Sequence, residues 1–218
     1  LTAGRYGQAI DIAAGPDGAL YVLDALNAAV HVTDADGRPR GVWRVPGAAN
    51  RRLRSIDFEA GGTLALLSTC TNCRPLSRVD RLTTDGASVA ALPLDERYVD
   101  VAAHPDGSLF LTRPGEAMNL PEFEPAVDRY SGTGTFVASL RDDLMALPQR
   151  VDIGPDGVVH VLQTVPPPPR SGGGGGGRPP GPGPSGAGAG AAPREGAQAP
   201  AEPVPGVLVF RADLSFDR

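Results

Sequence analysis

The sequence predicts an all-β fold assembled from repeated units, and three observations support this prediction. A triplet in which an aspartate stands between two apolar residues occurs four times along the chain. Its aspartates are 46, 43 and 52 residues apart, and a glycine-containing turn follows each triplet. A period of about 40–50 residues with four short strands in each unit is typical of a propeller blade. We therefore predict an all-β β-propeller of about four four-stranded antiparallel blades, in a ring that is incomplete or open.

The first strand of each blade contains the triplet, and a tight turn joins it to the second strand. The four aspartates of the triplets are Asp11, Asp57, Asp100 and Asp152. Pro-Asp-Gly follows the first, third and fourth triplets, and Gly-Gly follows the second. In such a turn the proline presets φ and the final glycine accepts a positive φ. We therefore expect a hairpin at the start of every blade.

The second strand of each blade is predicted from a run that is apolar at nearly every position. These runs cover residues 20–23, 64–67, 109–111 and 158–162. A strand that lies between two neighbouring blades is covered on both faces, so a continuous apolar run is expected there. The third strands are predicted to begin at Val30, Val79, Val127 and Val207. The fourth strands are predicted at residues 41–45, 88–92 and 135–140, and from residue 214 in the last blade.

One segment, residues 166–206, differs in composition from the rest of the chain. Its 41 residues include 13 Gly and 12 Pro. The segment therefore has too few large apolar side chains to form a core, and we expect it to be disordered. It divides the fourth blade: residues 1–165 would form blades one to three and the first half of blade four. Residues 207–218 would then supply the third strand and the start of the last one. The segment could serve as a tether or a proline-rich ligand, or have no function.

The charge and hydropathy of the chain exclude two classes of protein. The formal net charge is −5, whereas a protein that binds the nucleic acid backbone needs a basic face. No apolar run reaches the ~20 residues of a membrane-spanning helix. We recognise no signal peptide in the printed sequence, so we leave localisation open. Because the sequence starts directly before one repeat and ends within another, we expect it to be part of a longer protein.

The repeat resembles a known type of propeller. The run GPDGALYV at residues 15–22, its preceding triplet and the DADG turn at residues 34–37 are similar to NHL-repeat propellers. The same run is similar to the propellers of quinoprotein sugar dehydrogenases and gluconolactonases. The resemblance covers nearly all of the chain outside the Pro/Gly segment and implies a ring that usually closes with six blades. It does not fix an activity, because one fold hosts many functions.

The loops between second and third strands vary most in length, and they are expected to share one face with the connections between blades. Such a face is the usual binding surface of a repeat scaffold. A basic patch of Arg51, Arg52 and Arg54 leads into blade two on this face, which suits either an anionic ligand or a solvated turn. The loop of blade three carries an acidic and polar group, which forms either a binding site or a solvated loop. Its members are Glu116, Asn119, Glu122 and Glu124.

The four triplet aspartates have two interpretations. Each could accept a backbone N–H from the neighbouring blade, or their carboxylates could converge on the central channel and hold Ca²⁺, which prefers oxygen ligands. Their repetition in every blade favours the structural interpretation, because a functional site usually breaks the symmetry of its scaffold. Apart from Ca²⁺, we predict no cofactor and no other metal.

Cys70 and Cys73 are the only cysteines of the chain. One pair cannot supply the four ligands of a structural zinc site, and the three histidines fall on different blades. We predict a local disulfide, which would imply an oxidising, extracytoplasmic compartment, with two free thiols as the alternative. Each histidine lies among apolar neighbours, where a structural role is favoured over a catalytic one.

Together these observations predict a non-enzymatic binding scaffold whose partner is a protein or a small polar ligand at the loop face. The first alternative is a sugar- or lactone-acting propeller enzyme whose catalytic residues lie outside this chain. The second is a structural module of a larger surface or assembly protein. Open blade edges would also allow self-association, because unpaired strand edges are templates for pairing.

Overall fold

The computed structural model describes residues 2–115, 124–141, 145, 147–165 and 204–210. They form four antiparallel sheets whose first strands pack against one another around a central channel. The described part contains one 3-10 turn at Ala48–Asn50 and no α-helix. No helix there has the length and apolar character needed to cross a membrane. The structure is thus an all-β propeller of four blades with a ring that is not closed, as the sequence predicts.

Within each blade the strands follow one another in chain order. Blade one contains β1 (Ala9–Ala14), β2 (Leu20–Asp24), β3 (Ala29–Thr33) and β4 (Pro39–Arg44). Blade two contains β5 (Arg52–Phe58), β6 (Leu64–Thr69), β7 (Ser77–Leu82) and β8 (Ser88–Leu94). Blade three contains β9 (Asp100–Ala103), β10 (Leu109–Arg113), β11 (Ala126–Tyr130) and β12 (Phe136–Leu140). Blade four contains β13 (Leu147–Ile153), β14 (Val159–Val165) and β15 (Val204–Phe210).

Blade four has three strands in the described part of the chain, because the strand expected from residue 214 lies outside it. The third strand begins at Val204, three residues before the predicted start, and Val204 pairs with Val165. The Pro/Gly segment therefore leaves and re-enters the blade at adjacent strand ends. Its residues 166–203 lie outside the described residues.

Three apolar clusters fill the spaces between consecutive blades. β6 shows why the second strands are apolar throughout: Leu66 packs into the cluster with blade one, and Leu67 packs into the cluster with blade three. Both side chains are completely buried. Because successive residues of a strand point to opposite faces, a strand between two blades needs apolar residues at every position.

The glycine turns mark the structural repeat more regularly than the aspartates do. The turn between the first and second strands places a glycine at positive φ in every blade: Gly18, Gly62, Gly107 and Gly157. Each donates its N–H to the carbonyl oxygen three residues earlier, at 2.8–2.9 Å. We take the residue with this carbonyl oxygen as the first residue of the turn. Counted back from it, the four triplet aspartates occupy two different positions.

The position four residues before the turn holds Asp11, Ser55, Asp100 and Arg150, and the position two residues before it holds Ala13, Asp57, Ala102 and Asp152. The triplet recurs in every blade, but its aspartate does not occupy one repeated structural position. The reason is the period of the β-strand: residues i and i+2 point to the same side, so a triplet displaced by two residues looks the same in the sequence.

Candidate functional site

The side chains four residues before the turn join consecutive blades. In blades one to three each of them accepts a backbone N–H from the first strand of the next blade. The bonds run from Ile56 N to Asp11 Oδ2 at 2.9 Å, from Val101 N to Ser55 Oγ at 2.9 Å and from Val151 N to Asp100 Oδ2 at 2.8 Å. At this position the interpretation of the aspartates as acceptors for the adjacent blade describes Asp11 and Asp100, and a serine performs the same task in blade two.

Arg150 occupies the equivalent position in blade four and connects back to blade one. Its Nη1 donates to Asp11 Oδ1 at 2.8 Å, and its Nη2 donates to the carbonyl oxygen of Ile10 at 3.1 Å. The hydrogen bond that Arg150 donates to Asp11, together with the negative charges of Asp11 and Asp100, raises the pKa of Arg150. The four equivalent side chains therefore link blade one to two, two to three, three to four, and four back to one.

The two aspartates nearer the turn behave differently from each other. Asp57 accepts the N–H of Ala103 in blade three at 2.7 Å and that of Phe58 at 2.8 Å. Burial raises the pKa of Asp57, and the negative charges of Asp152 and Asp11 add to this effect. Asp152 accepts from its own neighbour Ile153 at 2.9 Å and from no other blade within the described ranges.

Within the described residues, no three His, Cys, Asp or Glu side chains are grouped so that they could hold a metal ion. Ca²⁺ binding by the triplet carboxylates stays a prediction.

Asp100 is the most perturbed carboxyl group of the channel. The residue is 5% exposed. Burial raises its pKa to about 7 and the charge of Asp11 acts in the same direction, whereas the N–H of Val151, the charge of Arg150 and the hydroxyl of Ser55 oppose the shift. The carboxyl group of Asp100 therefore keeps its proton to a higher pH than an exposed aspartate does.

A cavity of about 300 Å³ opens at one end of the channel. This end is the loop face, where the first strands begin and the loops between second and third strands lie, because Ala9 pairs with Asp24 and Arg52 pairs with Thr69. All four blades contribute polar side chains to the cavity wall: Gln8, Arg52, Arg54, Asp100, Gln149 and Arg150. The channel mouth is therefore a polar pocket on the face that the sequence predicts for binding.

β-Bulges direct several of these side chains. The first strands of blades one, two and four each carry a register shift, and the residue skipped is Ile10, Arg54 or Gln149. All three line the cavity, as does Val99 at the equivalent position of blade three. A bulge re-aims a side chain out of the regular alternation. The cavity wall is thus built from one structurally repeated position that carries a different residue in each blade.

The structure separates the three arginines of the predicted basic patch. Arg52 and Arg54 line the cavity, whereas Arg51 reaches toward the loop between β6 and β7. Arg51 donates from Nε to Ser68 Oγ at 2.9 Å and from Nη1 to the carbonyl oxygen of Pro75 at 3.3 Å. Arg51 therefore holds a loop in place, and two arginines of the patch remain available at the pocket.

Of the predicted acidic group in blade three, the structure describes Glu124 alone. Glu124 is exposed, forms an ion pair with Arg141 and does not line the cavity. Glu116, Asn119 and Glu122 lie outside the described residues. The binding interpretation of this loop stays a prediction.

Cys70 and Cys73 are joined by a disulfide, with their Cα atoms 5.6 Å apart. The predicted pairing is present, and it is compatible with an extracytoplasmic location. The N–H of Cys70 donates to the carbonyl oxygen of Leu76 at 2.8 Å, and Arg51 Nη1 lies 3.6 Å from Cys73 Sγ. The disulfide therefore shapes the same loop that Arg51 holds.

We expect replacement of both cysteines by serine to lower the free energy of unfolding by at most about 2 kcal/mol, since the closed loop is very short. Urea denaturation of the variant and the oxidised wild type measures this difference. The matched control is Asn72→Ala, an exposed position in the same loop, for which we expect a change within about 0.5 kcal/mol. A loss above about 4 kcal/mol would show that the disulfide supports more than its own loop.

The histidines lie away from the pocket. His31 is completely buried, and its Nε2 is 3.3 Å from Asp24 Oδ2. His104 begins a turn, where its Nδ1 accepts the N–H of Asp106 at 3.2 Å. None of the three histidines, His160 included, lines the cavity.

Sequence reasoning missed Ser55, Gln149 and Arg150. An alignment of the repeats on the turn glycine, and not on the aspartate, assigns Ser55 and Arg150 to the same position as Asp11 and Asp100.

No protein-family profile matches the chain, and no curated protein matches it in sequence. The structure is similar to a protein of unknown function from Bacteroides caccae, with a TM-score of 0.50 and 12% identity over 72% of this chain and 53% of that one. It is also similar to a catalytically inactive virginiamycin B lyase from Staphylococcus aureus, solved with quinupristin, with a TM-score of 0.51 and 17% identity over 69% of this chain and 46% of that one. For a streptogramin B lyase the TM-score is 0.44, with 18% identity over 73% and 62% of the two chains.

This chain therefore spans about half the length of the first two structures. At such identities the likeness shows the β-propeller fold alone.

Proposed function

We propose that this chain is a non-enzymatic binding scaffold of the NHL-repeat type, which takes a small polar ligand or a polar protein segment at the mouth of its channel. The observation that carries the proposal is the cavity of about 300 Å³ on the loop face. It is concave and open, and all four blades supply polar side chains to it, which are the groups that fix the orientation of a ligand. The GPDG and LYV runs of blade one support the NHL assignment.

Two further observations support a scaffold. The ionisable side chains of the cavity wall are arginines and one aspartate, and the histidines lie elsewhere. Arginine stays protonated near neutral pH, so it binds and orients anions but is a poor proton acceptor. The wall is therefore better suited to recognition than to proton transfer.

One observation favours the enzyme alternative. Asp100 lines the cavity and has a pKa raised to about 7, which is the range of a carboxyl group that acts as a general acid or base. This places one candidate proton-transfer group inside the chain, whereas the sequence predicts that the catalytic residues of a sugar- or lactone-acting enzyme lie outside it. The lyases among the similar structures show that propellers host catalysis, but at their low identity they assign none to this chain.

Backbone amide NMR spectra recorded with a panel of probes test the proposal. The panel contains inorganic phosphate, citrate, glucose, gluconolactone and quinupristin. We expect at least one probe to shift amide signals around Arg54 and Gln149, and to be recovered chemically unchanged after incubation. The turn face at Gly18 and Gly107 is the internal control, because it lies at the opposite end of the blades and should show no shift.

Conversion of any probe by the wild type, but not by Asp100→Asn, would overturn the non-enzymatic proposal in favour of an enzyme that uses Asp100. Signal changes confined to the turn face would overturn the placement of the site.

A further inference from the structure

Two arginines line one side of the cavity, and a third is near enough to one of them to interact with it electrostatically. Arg52 and Arg54 line the cavity wall, and Arg97 lies in the connection that leads from blade two to blade three. In the described part of the chain, none of the three forms an ion pair, although nine other arginines do. The pocket therefore carries an excess of positive charge on one side.

Arg54 is the fixed member of this cluster. It is the bulged residue of β5, it is half-buried, and its Nε donates to Thr69 Oγ1 at 3.0 Å. This bond uses one of the five N–H groups of the guanidinium and orients the plane of the group. The terminal Nη groups make no hydrogen bond within the described residues, so they are free to donate to a ligand.

The charges around Arg54 also favour the binding of an anion. Burial lowers its pKa, and the positive charges of Arg52 and Arg97 lower it further. Like charges in a partly buried site destabilise one another unless an opposite charge joins them. An anion in the pocket would remove that cost and would gain charge-assisted hydrogen bonds.

The opposite side of the cavity limits where an anion fits. Arg150 is already bound to Asp11 and to the carbonyl oxygen of Ile10, and Asp100 on the same wall repels an anion whenever its carboxyl group is ionised. Gln8 and Gln149 are neutral and can donate from their side-chain amides. The favourable position is therefore beside β5, with the rest of the ligand extending toward the glutamines.

We propose that Arg52, Arg54 and Arg97 bind the carboxylate or phosphate group of a small ligand. This inference rests on the proposed function, because it names the ligand chemistry of the same pocket. Planar guanidinium groups match the two oxygens of a carboxylate or phosphate, and Arg54 is oriented for such a contact. Arg52 is exposed and Arg97 half-buried, so they add charge from the rim.

Isothermal titration of the full chain tests the inference, with inorganic phosphate in one arm and citrate in the other. We expect saturable binding in at least one arm, weakened at least tenfold by Arg54→Gln and several-fold by Arg52→Gln. The matched control is Arg38→Gln, which removes the same charge from an exposed arginine on the turn face and should change affinity less than twofold. The arm that binds more tightly identifies the source of the anion.

Arg54→Lys guards against a folding defect in Arg54→Gln, since lysine keeps the charge but lacks the planar fork. We expect it to bind several-fold more weakly than the wild type at an unchanged melting temperature. Equal losses in Arg38→Gln and Arg54→Gln would overturn the inference, because they would show general charge attraction.

Shifts at the pocket with glucose or gluconolactone, but with neither anion, would overturn the anion site and leave the proposed scaffold standing. No shift at the pocket with any probe would overturn both.

Discussion

Replacing Asp24 with alanine is expected to lower the free energy of unfolding by about 3–5 kcal/mol, because it removes a buried carboxylate that satisfies several donors at once. The side chain is 0% exposed. Its oxygens accept the backbone N–H groups of Gly7 at 2.7 Å, Gln8 at 2.9 Å and Asn27 at 3.2 Å, and the side-chain amide of Asn27 at 2.8 Å. Alanine would leave these donors unpaired and would leave buried His31 without its 3.3 Å neighbour.

The pH dependence identifies the cause of this loss. Burial alone would raise the pKa of Asp24, but the hydrogen bonds from Gly7, Gln8 and Asn27 outweigh it and hold the pKa well below its usual range. A depressed folded-state pKa contributes stability that is present above the unfolded pKa and is lost as the pH falls through the folded pKa. The difference between wild type and variant should therefore shrink below about pH 4.

Urea denaturation at neutral and acidic pH measures this difference. The control is Asp36→Ala, whose side chain is 75% exposed and which should change stability by no more than about 0.5 kcal/mol. A difference for Asp24→Ala that is below about 1 kcal/mol, or that stays constant with pH, would contradict the assignment.

Asp100→Asn is expected to stabilise the protein at alkaline pH, by at most about 4 kcal/mol. The folded-state pKa of Asp100 is raised to about 7, above its unfolded value of about 3.9. A raised folded-state pKa contributes stability that is complete below the unfolded pKa and is lost as the pH rises through the folded pKa. Asparagine keeps an oxygen for the N–H of Val151 but carries no charge, so it avoids that loss.

Urea denaturation of Asp100→Asn and the wild type at about pH 4 and about pH 8 tests this expectation. The free energies of unfolding should be similar at the lower pH, and that of the variant should be larger at the higher pH. Asp152→Asn is the matched control, because Asp152 is exposed and accepts from its own neighbour. A loss of stability in Asp100→Asn at alkaline pH would mean that the charge of Arg150, and not burial, dominates the energetics of this carboxyl group.

The sequence predicts the strands and turns of the blades well because both depend on local residue patterns. The apolar runs mark strands covered on two sides, and the turn glycines mark the hairpins. The register of the first strands is not predictable in this way, since a shift of two residues preserves the alternation that the triplet displays. The triplet therefore suggests one common position for Asp11, Asp57, Asp100 and Asp152, while the structure places Ser55 and Arg150 at the position of Asp11 and Asp100.

The candidate site is harder to predict for a related reason. Arg52 and Arg54 are visible as a basic patch, but their separation from Arg51 depends on a bulge that no residue pattern announces. The contact between Arg150 and Asp11 depends on how four blades arrange themselves around the channel, which is a property of the assembled ring. The approach of Arg97 to Arg54 likewise requires that blades two and three be packed together.

The hydrogen bonds that link consecutive blades also bear on the order of folding. Those accepted by Asp11, Ser55, Asp57 and Asp100 span 45, 46, 46 and 51 residues, which is one repeat each. The bond from Arg150 to Asp11 spans 139 residues. Contacts of short sequence separation form with less loss of chain entropy than distant ones, and repeat proteins propagate structure between nearest neighbours. Each of blades one to three thus presents an acceptor for the blade synthesised after it, and we expect the contact from Arg150 to form last.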